Sequence, residues 1–369
     1  MRPGAGPAGT GTPVFRKGVP VQALTFAGIG QVVYERVADP QLQDAGDAIV
    51  RVLRTAVCGS DLHAYHGREV GLDPGTVLGH EFLGEVVELG ESVQGLRRGD
   101  TVVSPFSTAC GACPACVEGL SARCSSGQLF GWVAGGVGLQ GAQAEFVRVP
   151  LAGTTLVPVP EGVSLDVALL MGDVLATGLY CALRAGIDPR GAYAVLGCGP
   201  VGLAAILGAR ALGAERIFAL DSVPERLTLA ARFGATALRV HDGVASELRA
   251  ALAGRGVDAV LEAVGTEAAS RLALDLVRPG GTISAVGVHT EASFAFTPNQ
   301  AYDKNLTYRI GRCPARSLMP GLLDWIRAHQ VEVEALITHR LPLSAGAEAY
   351  RTFDTKRDGC IKVVLTPGA

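Results

Sequence analysis

Four cysteines fall within fifteen residues, at Cys110, Cys113, Cys116 and Cys124, with spacers of two, two and seven. Two-residue spacers let neighbouring sulfurs turn toward one ion, and four thiolates close a tetrahedral zinc shell. Gly111, Ala112, Pro114 and Ala115 are small or turn-forming, so the backbone can wrap tightly. A closed shell has no position for water, so a zinc there is structural and staples a loop without a core of its own. Two disulfides or four unrelated thiols are the other readings of four cysteines; the spacing favours zinc. A second set differs in kind. Cys58, in Cys58-Gly-Ser60-Asp61-Leu-His63, and His80, in Gly79-His80-Glu81, offer a thiolate and an imidazole from separate segments. Those are donor types of a catalytic zinc site. A lone cysteine and a lone histidine are more often core residues, but these share a chain with a metal loop and a glycine motif.

That motif is Gly197-Cys-Gly-Pro-Val-Gly202. It follows an apolar run that reads as a strand and opens an apolar run that reads as a helix, the setting of a dinucleotide site. Gly197 allows the tight turn, Gly199 lets backbone approach a pyrophosphate, and Gly202 lets helix and strand pack closely. Pro200 and Val201 stand at the helix entry, where phosphates meet the positive end of the helix. Asp221 ends the next expected strand, 19 residues past Gly202. A carboxylate there takes the ribose hydroxyls of NAD and repels the extra phosphate of NADP. Arg226, one turn further, is a surface residue or flanks the adenine.

These residues need two kinds of scaffold. From Val21 to about Val149, short apolar runs broken by Gly, Pro and Asp read as an antiparallel barrel or sandwich. From about Asp173 to Arg309 strands alternate with helices, the pattern of a parallel, doubly wound sheet. Strands are expected at 193–197, 216–221, 236–240, 258–264, 282–287 and 306–309. Helices are expected at 201–212, 224–232 and 267–277, the last stopped by Pro279-Gly-Gly before a strand. A helix over 318–329 and a closing strand over 360–365 return to the first domain. The division is therefore 21–172 with 310–369, and 173–309. Residues 1–20 read as a disordered tail without an apolar signal core. The chain has 369 residues, a net charge of −3 and 49 glycines. No basic block is interleaved with aromatics, so nucleic acid is not an expected partner. Residues 192–209 carry no charge. The glycines in that run make it a strand, turn and buried helix rather than a membrane span. Nine cysteines and no secretory signal point to a reducing, cytoplasmic setting.

Taken together, the chain from about Val21 onward resembles the zinc-dependent medium-chain alcohol dehydrogenases. The resemblance implies an α/β protein: a GroES-like β-rich catalytic domain plus a Rossmann doubly wound parallel-sheet cofactor domain. It implies two Zn²⁺ per chain and NAD. Cys58 and His80 would be ligands of the catalytic zinc, with Asp61 behind them. Ser60 would take the alcohol proton, and His63 would pass it to solvent through the cofactor ribose. Glu81 would lie beside the zinc and enter its shell transiently. Thr177, Val264 and Gly287 would lie near the nicotinamide. Many members place a cysteine just before the cofactor domain as third ligand. Here the segment is Met171-Gly-Asp173-Val-Leu-Ala-Thr177-Gly178, and Asp173 occupies that place. A bacterial branch that includes glutathione-independent formaldehyde dehydrogenases does the same. Leu139–Pro150 resembles that branch too, although this chain lacks the added cofactor-domain segment of its formaldehyde-specific members. Alternatively, Asp173 caps the following helix, with Glu81 or water completing the shell.

The expected activity is oxidation of a small-molecule alcohol to an aldehyde or ketone, or the reverse, with hydride passing to or from NAD. Rival readings are a polyol or threonine dehydrogenase, a formaldehyde dehydrogenase or dismutase, and a catalytically silent NAD- or zinc-binding protein. No membrane is expected as a partner, and relatives imply a homodimer or homotetramer.

Overall fold

The strand Ala48–Val57 is the axis of the first unit. Its β-branched and apolar residues suit a pleated, buried surface, and Val50, Val52, Ala56 and Val57 are buried. In the computed structural model, which describes residues 15–368, it pairs antiparallel with Phe82–Leu89, Phe146–Val149 and Val363–Thr366. Thr101–Ser104 and Val157–Pro158 extend the sheet on one side. His339–Pro342 extends it on the other, parallel to Val363–Thr366. The C-terminal segment is thus built into the sheet of the first half.

The second unit holds six parallel strands, labelled here β1 (Ala192–Leu196), β2 (Arg216–Asp221), β3 (Thr236–Arg239), β4 (Val257–Glu262), β5 (Val277–Ala285) and β6 (Thr307–Ile310). Their order across the sheet is β3-β2-β1-β4-β5-β6. The order reverses between β1 and β4, and ligands of open α/β sheets bind at the strand ends of such a switch point. Helices Pro200–Ala211, Pro224–Arg232, Val244–Ala251 and Glu267–Leu276 connect the strands. The helix Val174–Ala185 joins the two units. One apolar cluster runs from Ala56 and Leu83 through Val174 and Leu175 to Leu203 and Ala219.

Several expected boundaries move, each for a local reason. The strand expected over 258–264 ends at Glu262, because its own carboxylate takes the N–H groups of Val264 and Gly265. Pro279-Gly-Gly does not sit between helix and strand. The chain is already extended at Val277, and β5 runs through the triplet. The helix expected over 318–329 begins at Ala315 and carries Pro320 inside it. The closing strand expected over 360–365 is Val363–Thr366; Ile361 donates to the Thr338 hydroxyl instead. The helix Gly346–Thr355 had no counterpart in the sequence reading.

Of the expected tail, residues 1–14 lie outside the described residues. Phe15 to Pro20 are placed on the β-rich unit. The Phe15 ring sits 5.1 Å from that of Phe146, and Lys17 pairs with Glu88 at 2.5 Å. Residues 192–209 form β1, a turn and most of the next helix. Among the described residues no single helix is long and apolar enough to cross a membrane.

Candidate active site and metal centres

Strand register brings the candidate donors together. Cys58 follows the strand Ala48–Val57, and His80 and Glu81 precede Phe82–Leu89, with Thr55 opposite Phe82. Asp173 sits at the start of the helix Val174–Ala185. One donor atom from each of Cys58, His80, Glu81 and Asp173 lies within 4.8 Å of the others. Asp173 Oδ2 is 3.6 Å from Cys58 Sγ and 3.4 Å from His80 Nε2. Its other oxygen accepts from the Thr177 hydroxyl at 3.0 Å. Its side chain takes no capping bond from the helix N-terminus. Burial, and then the charges of Glu81 and Asp173, push the Cys58 thiol up. A thiol, two carboxylates and an imidazole packed this closely form a donor set that calls for a cation, and zinc suits these donors.

Each donor is held from behind. Asp61 Oδ1 faces His80 Nδ1 at 3.2 Å, which turns Nε2 into the cluster. Asp61 Oδ2 accepts the Cys58 N–H at 2.9 Å and a bond from Gln143 Nε2 at 3.4 Å. Gln143 Oε1 in turn accepts from the buried Tyr350 hydroxyl at 2.9 Å. Glu81 Oε1 accepts from Lys362 Nζ at 2.5 Å, with both side chains almost wholly buried. Glu81 Oε2 has no partner. The Ser60 hydroxyl stands 3.4 Å from Cys58 Sγ and 3.3 Å from His80 Nε2. His63 lies on the short helix Asp61–Tyr65, and its buried Nδ1 is unpartnered. Burial, and then the Arg68 charge, hold the His63 pKa below its usual value.

The sulfurs of Cys110, Cys113, Cys116 and Cys124 also lie within 4.8 Å of one another, and none forms a disulfide. The Cys113 N–H donates to Cys110 Sγ at 3.3 Å, and the Cys110 N–H to Cys124 Sγ at 3.2 Å. Backbone N–H groups of Ser125 and Cys116 bring the Cys113 thiol down to about 6. Thiolate is the form that binds a metal; burial pushes Cys116 the other way, up to about 12, so it takes a bound cation to bring all four sulfurs to that form.

A cleft of about 460 Å³ connects the first donor set to the glycine turn. Cys58, Ser60, His63, His80 and Asp173 line it with Thr177, Gly199, Pro200, Val201, Arg226, Val264 and Gly287. Phe106, Leu129, Phe130 and Trp132 add an apolar wall. Glu81, Gly197, Gly202 and Asp221 are not among its lining residues. A Cβ on Gly202 would lie 1.7 Å from the Gly197 carbonyl oxygen, so only glycine lets the helix start this close to β1. Asp221 accepts the N–H groups of Cys198 at 2.7 Å and Val223 at 2.8 Å, which ties the glycine turn to the end of β2. Arg226 Nη1 is 3.8 Å from the same carboxylate.

Sequence reading missed Lys362, Gln143 and Tyr350. Lys362 left a trace, as a lone cation in the apolar run Cys360-Ile-Lys-Val-Val-Leu365. A lysine is almost never fully buried without a partner. Nothing local marked Gln143 or Tyr350, whose partners lie 82 to 207 residues away.

Comparison with known proteins bears on the family and the fold. The family model "Alcohol dehydrogenase GroES-like domain" matches residues 44–161, and "Zinc-binding dehydrogenase" matches residues 200–328. Zinc-type alcohol dehydrogenase B of Aspergillus flavus is 41% identical over 346 residues, spanning 91% of this chain and 79% of that one. The alcohol dehydrogenase TADH from Thermus sp. ATN1 superposes with a TM-score of 0.87 at 40% identity, covering 94% of this chain and 99% of that one. Zinc dependent alcohol dehydrogenase 2 from Streptococcus pneumonia gives 0.85 at 33% identity, covering 94% and 98%.

The Lys362–Glu81 pair yields a stability prediction. Lys362→Ala strands a buried carboxylate and should lower unfolding free energy by about 3–5 kcal/mol. The double variant Lys362→Met/Glu81→Gln removes both charges and should recover most of that loss. Denaturant unfolding of the three proteins measures it; a single variant as stable as the parent would refute it.

Proposed function

This chain belongs to the zinc-dependent medium-chain alcohol dehydrogenase family, and from that premise we propose how its own residues divide the work. The family activity is interconversion of an alcohol with its aldehyde or ketone, using a nicotinamide dinucleotide. In our reading Cys58, His80 and Asp173 hold the catalytic zinc, with Glu81 beside them, and the four-cysteine loop holds a structural zinc. The observation that carries the reading is convergence. One cleft is lined by the donor set, by Ser60 and His63, and by the glycine turn. When bound, zinc supplies the positive charge that eases loss of an alcohol proton, and the dinucleotide supplies the hydride acceptor.

The chain's own groups then handle the proton. The Ser60 hydroxyl touches the donor set, so it can accept a proton there and release its own. His63 has a free ring nitrogen and a lowered pKa, so at neutral pH it is a neutral acceptor. The apolar wall of Phe106, Leu129, Phe130 and Trp132 favours the carbon skeleton of an alcohol over a fully hydrated polyol. The reading carries with it a cytoplasmic setting and a homodimer or homotetramer. β6 is an open sheet edge beside exposed Tyr302 and Ile310, which suits association.

NAD is the preferred cofactor in this reading. Asp221 presents negative charge at the end of β2, and Arg226, the cation next to it, is turned toward that carboxylate. Each Asp221 oxygen uses one backbone bond and keeps capacity for a ribose hydroxyl. kcat/KM should be clearly higher with NAD than with NADP. Equal values, or better values with NADP, would remove the assignment.

Zinc content tests the ligand sets. The parent should hold about two zincs per chain. Asp173→Asn should lose the catalytic zinc and alcohol turnover, whereas Glu81→Gln should retain the metal. Near-normal turnover in the first with metal loss in the second would reverse the roles. Cys113→Ser should lose the other zinc and melt at lower temperature.

The pH profile tests His63. Its raised acidity leaves it deprotonated from below the usual histidine range upward, so oxidation should slow as pH falls through that lowered value. His63→Gln should cut kcat by about 10²-fold near neutrality and abolish that limb. An unchanged profile would take His63 out of the proton path.

A further inference from the structure

Glu262, the last residue of β4, is fully buried and serves both loops that form one wall of the cleft. Its Oε1 accepts the N–H groups of Val264 at 2.7 Å and Gly265 at 2.8 Å. Its backbone carbonyl accepts those of Val286 at 2.9 Å and Gly287 at 3.3 Å. The two loops touch backbone to backbone. A Cβ on Gly287 would lie 2.2 Å from the Gly265 nitrogen, and one on Gly265 would lie 2.3 Å from the Val288 carbonyl oxygen. One atom of this hub has no hydrogen-bond partner: Glu262 Oε2 is buried and unsatisfied. His289 Nε2 is likewise buried and unsatisfied, and it stands 3.3 Å from that oxygen. An unpaired buried carboxylate oxygen is costly, and His289 is the cation within reach.

Loops after β4 and β5 lie on the far side of the switch point from β2 and Asp221, which serve the adenosine half. They therefore face the nicotinamide half. We propose that His289 is a positioning residue for the nicotinamide half of the cofactor, its imidazole closing on Glu262 to pin loop 286–291 against loop 263–266. The proposal rests on the dinucleotide reading of the cleft.

The surroundings give the clasp a pH dependence. The Glu262 carboxylate facing it at 3.3 Å raises the His289 pKa; burial opposes the rise, and the charge of Glu291 adds to it. Tyr308 on β6 and Cys181 on the helix Val174–Ala185 also face Glu262. Burial pushes each up to about 12, so neither is charged near neutrality. His289 is thus the group whose charge changes there. The charged clasp is complete below the raised His289 value and is lost as pH rises through it.

The test uses the full zinc-loaded protein and two ligands. NADH binding is followed by nicotinamide fluorescence, and ADP-ribose, which lacks the nicotinamide, by calorimetry, from about pH 6 to about pH 9. His289→Gln should weaken NADH about tenfold at the acid end, the scale of one hydrogen bond to a charged group. ADP-ribose affinity should change less than about twofold, because its contacts lie across the switch point. NADH affinity of the parent should fall as pH rises, and His289→Gln should lose that inflection. Glu262→Gln keeps the backbone acceptor and loses the charge, so it should mimic His289→Gln, with the double variant no worse. Equal weakening of both ligands, unchanged NADH affinity, or survival of the inflection in His289→Gln would overturn the clasp. A parent that binds neither ligand would overturn the dinucleotide reading itself.

Discussion

The ion pair between Lys362 and Glu81 governs the arrangement of the catalytic half. Both side chains are almost wholly buried, in a region where an isolated charge costs several kcal/mol. The pair is tolerable because it is short and because more charge of both signs surrounds it. Cys58 as thiolate, Asp173 and Glu81 bring three negative charges to one cluster. Lys362 and a divalent zinc in the proposed site bring three positive ones. Remove either cation and the interior is left with unbalanced negative charge. The lysine comes from the C-terminal segment, so the metal site and the closing strand of the sheet depend on one another.

Register explains how such distant residues meet. Val57 lies opposite Val363, and Thr55 lies opposite Phe82. Cys58, Lys362 and the His80–Glu81 pair therefore sit at the same end of three adjacent strands. A slip of one residue in either pairing would turn these side chains to the other face. The sheet also supplies the next layer of support. Asp61, Gln143 and Tyr350 form a chain of bonds from the helix Gly346–Thr355 to the His80 ring. A buried imidazole held this way keeps one tautomer and one orientation.

The difference between what the sequence revealed and what it hid tracks the range of the interactions. The four-cysteine loop and the glycine turn are local: spacers of two residues and a strand-turn-helix pattern carry the geometry. The six parallel strands were legible from alternation; the strand over 216–221 kept its bounds, and the ends of the others moved by up to five residues. One of those shifts came from a side chain, the Glu262 carboxylate capturing the chain at Val264. Lys362, Gln143, Tyr350 and His289 were not legible as site residues. Their roles depend on partners that only strand pairing or loop packing brings near. Phe15, read with a disordered tail, packs against Phe146, a contact across more than a hundred residues that no window could reveal.

Asp173 is a donor rooted between the two units rather than within either. It opens the helix Val174–Ala185, whose buried face shares one apolar cluster with both halves. Thr177, one turn along that helix, fixes one carboxylate oxygen and leaves the other directed at Cys58 and His80. Any rotation of the nucleotide-binding unit that carried this helix would move that oxygen relative to donors rooted in the β-rich unit. Close-packed interiors do not absorb such shifts gradually. The donor set is therefore complete only when the two units hold one relative position, and that same position sets how the wall at Val264 and Gly287 faces Cys58 and Ser60 across the cleft. In the proposed site, metal geometry and cofactor fit would both depend on the packing at the start of this helix.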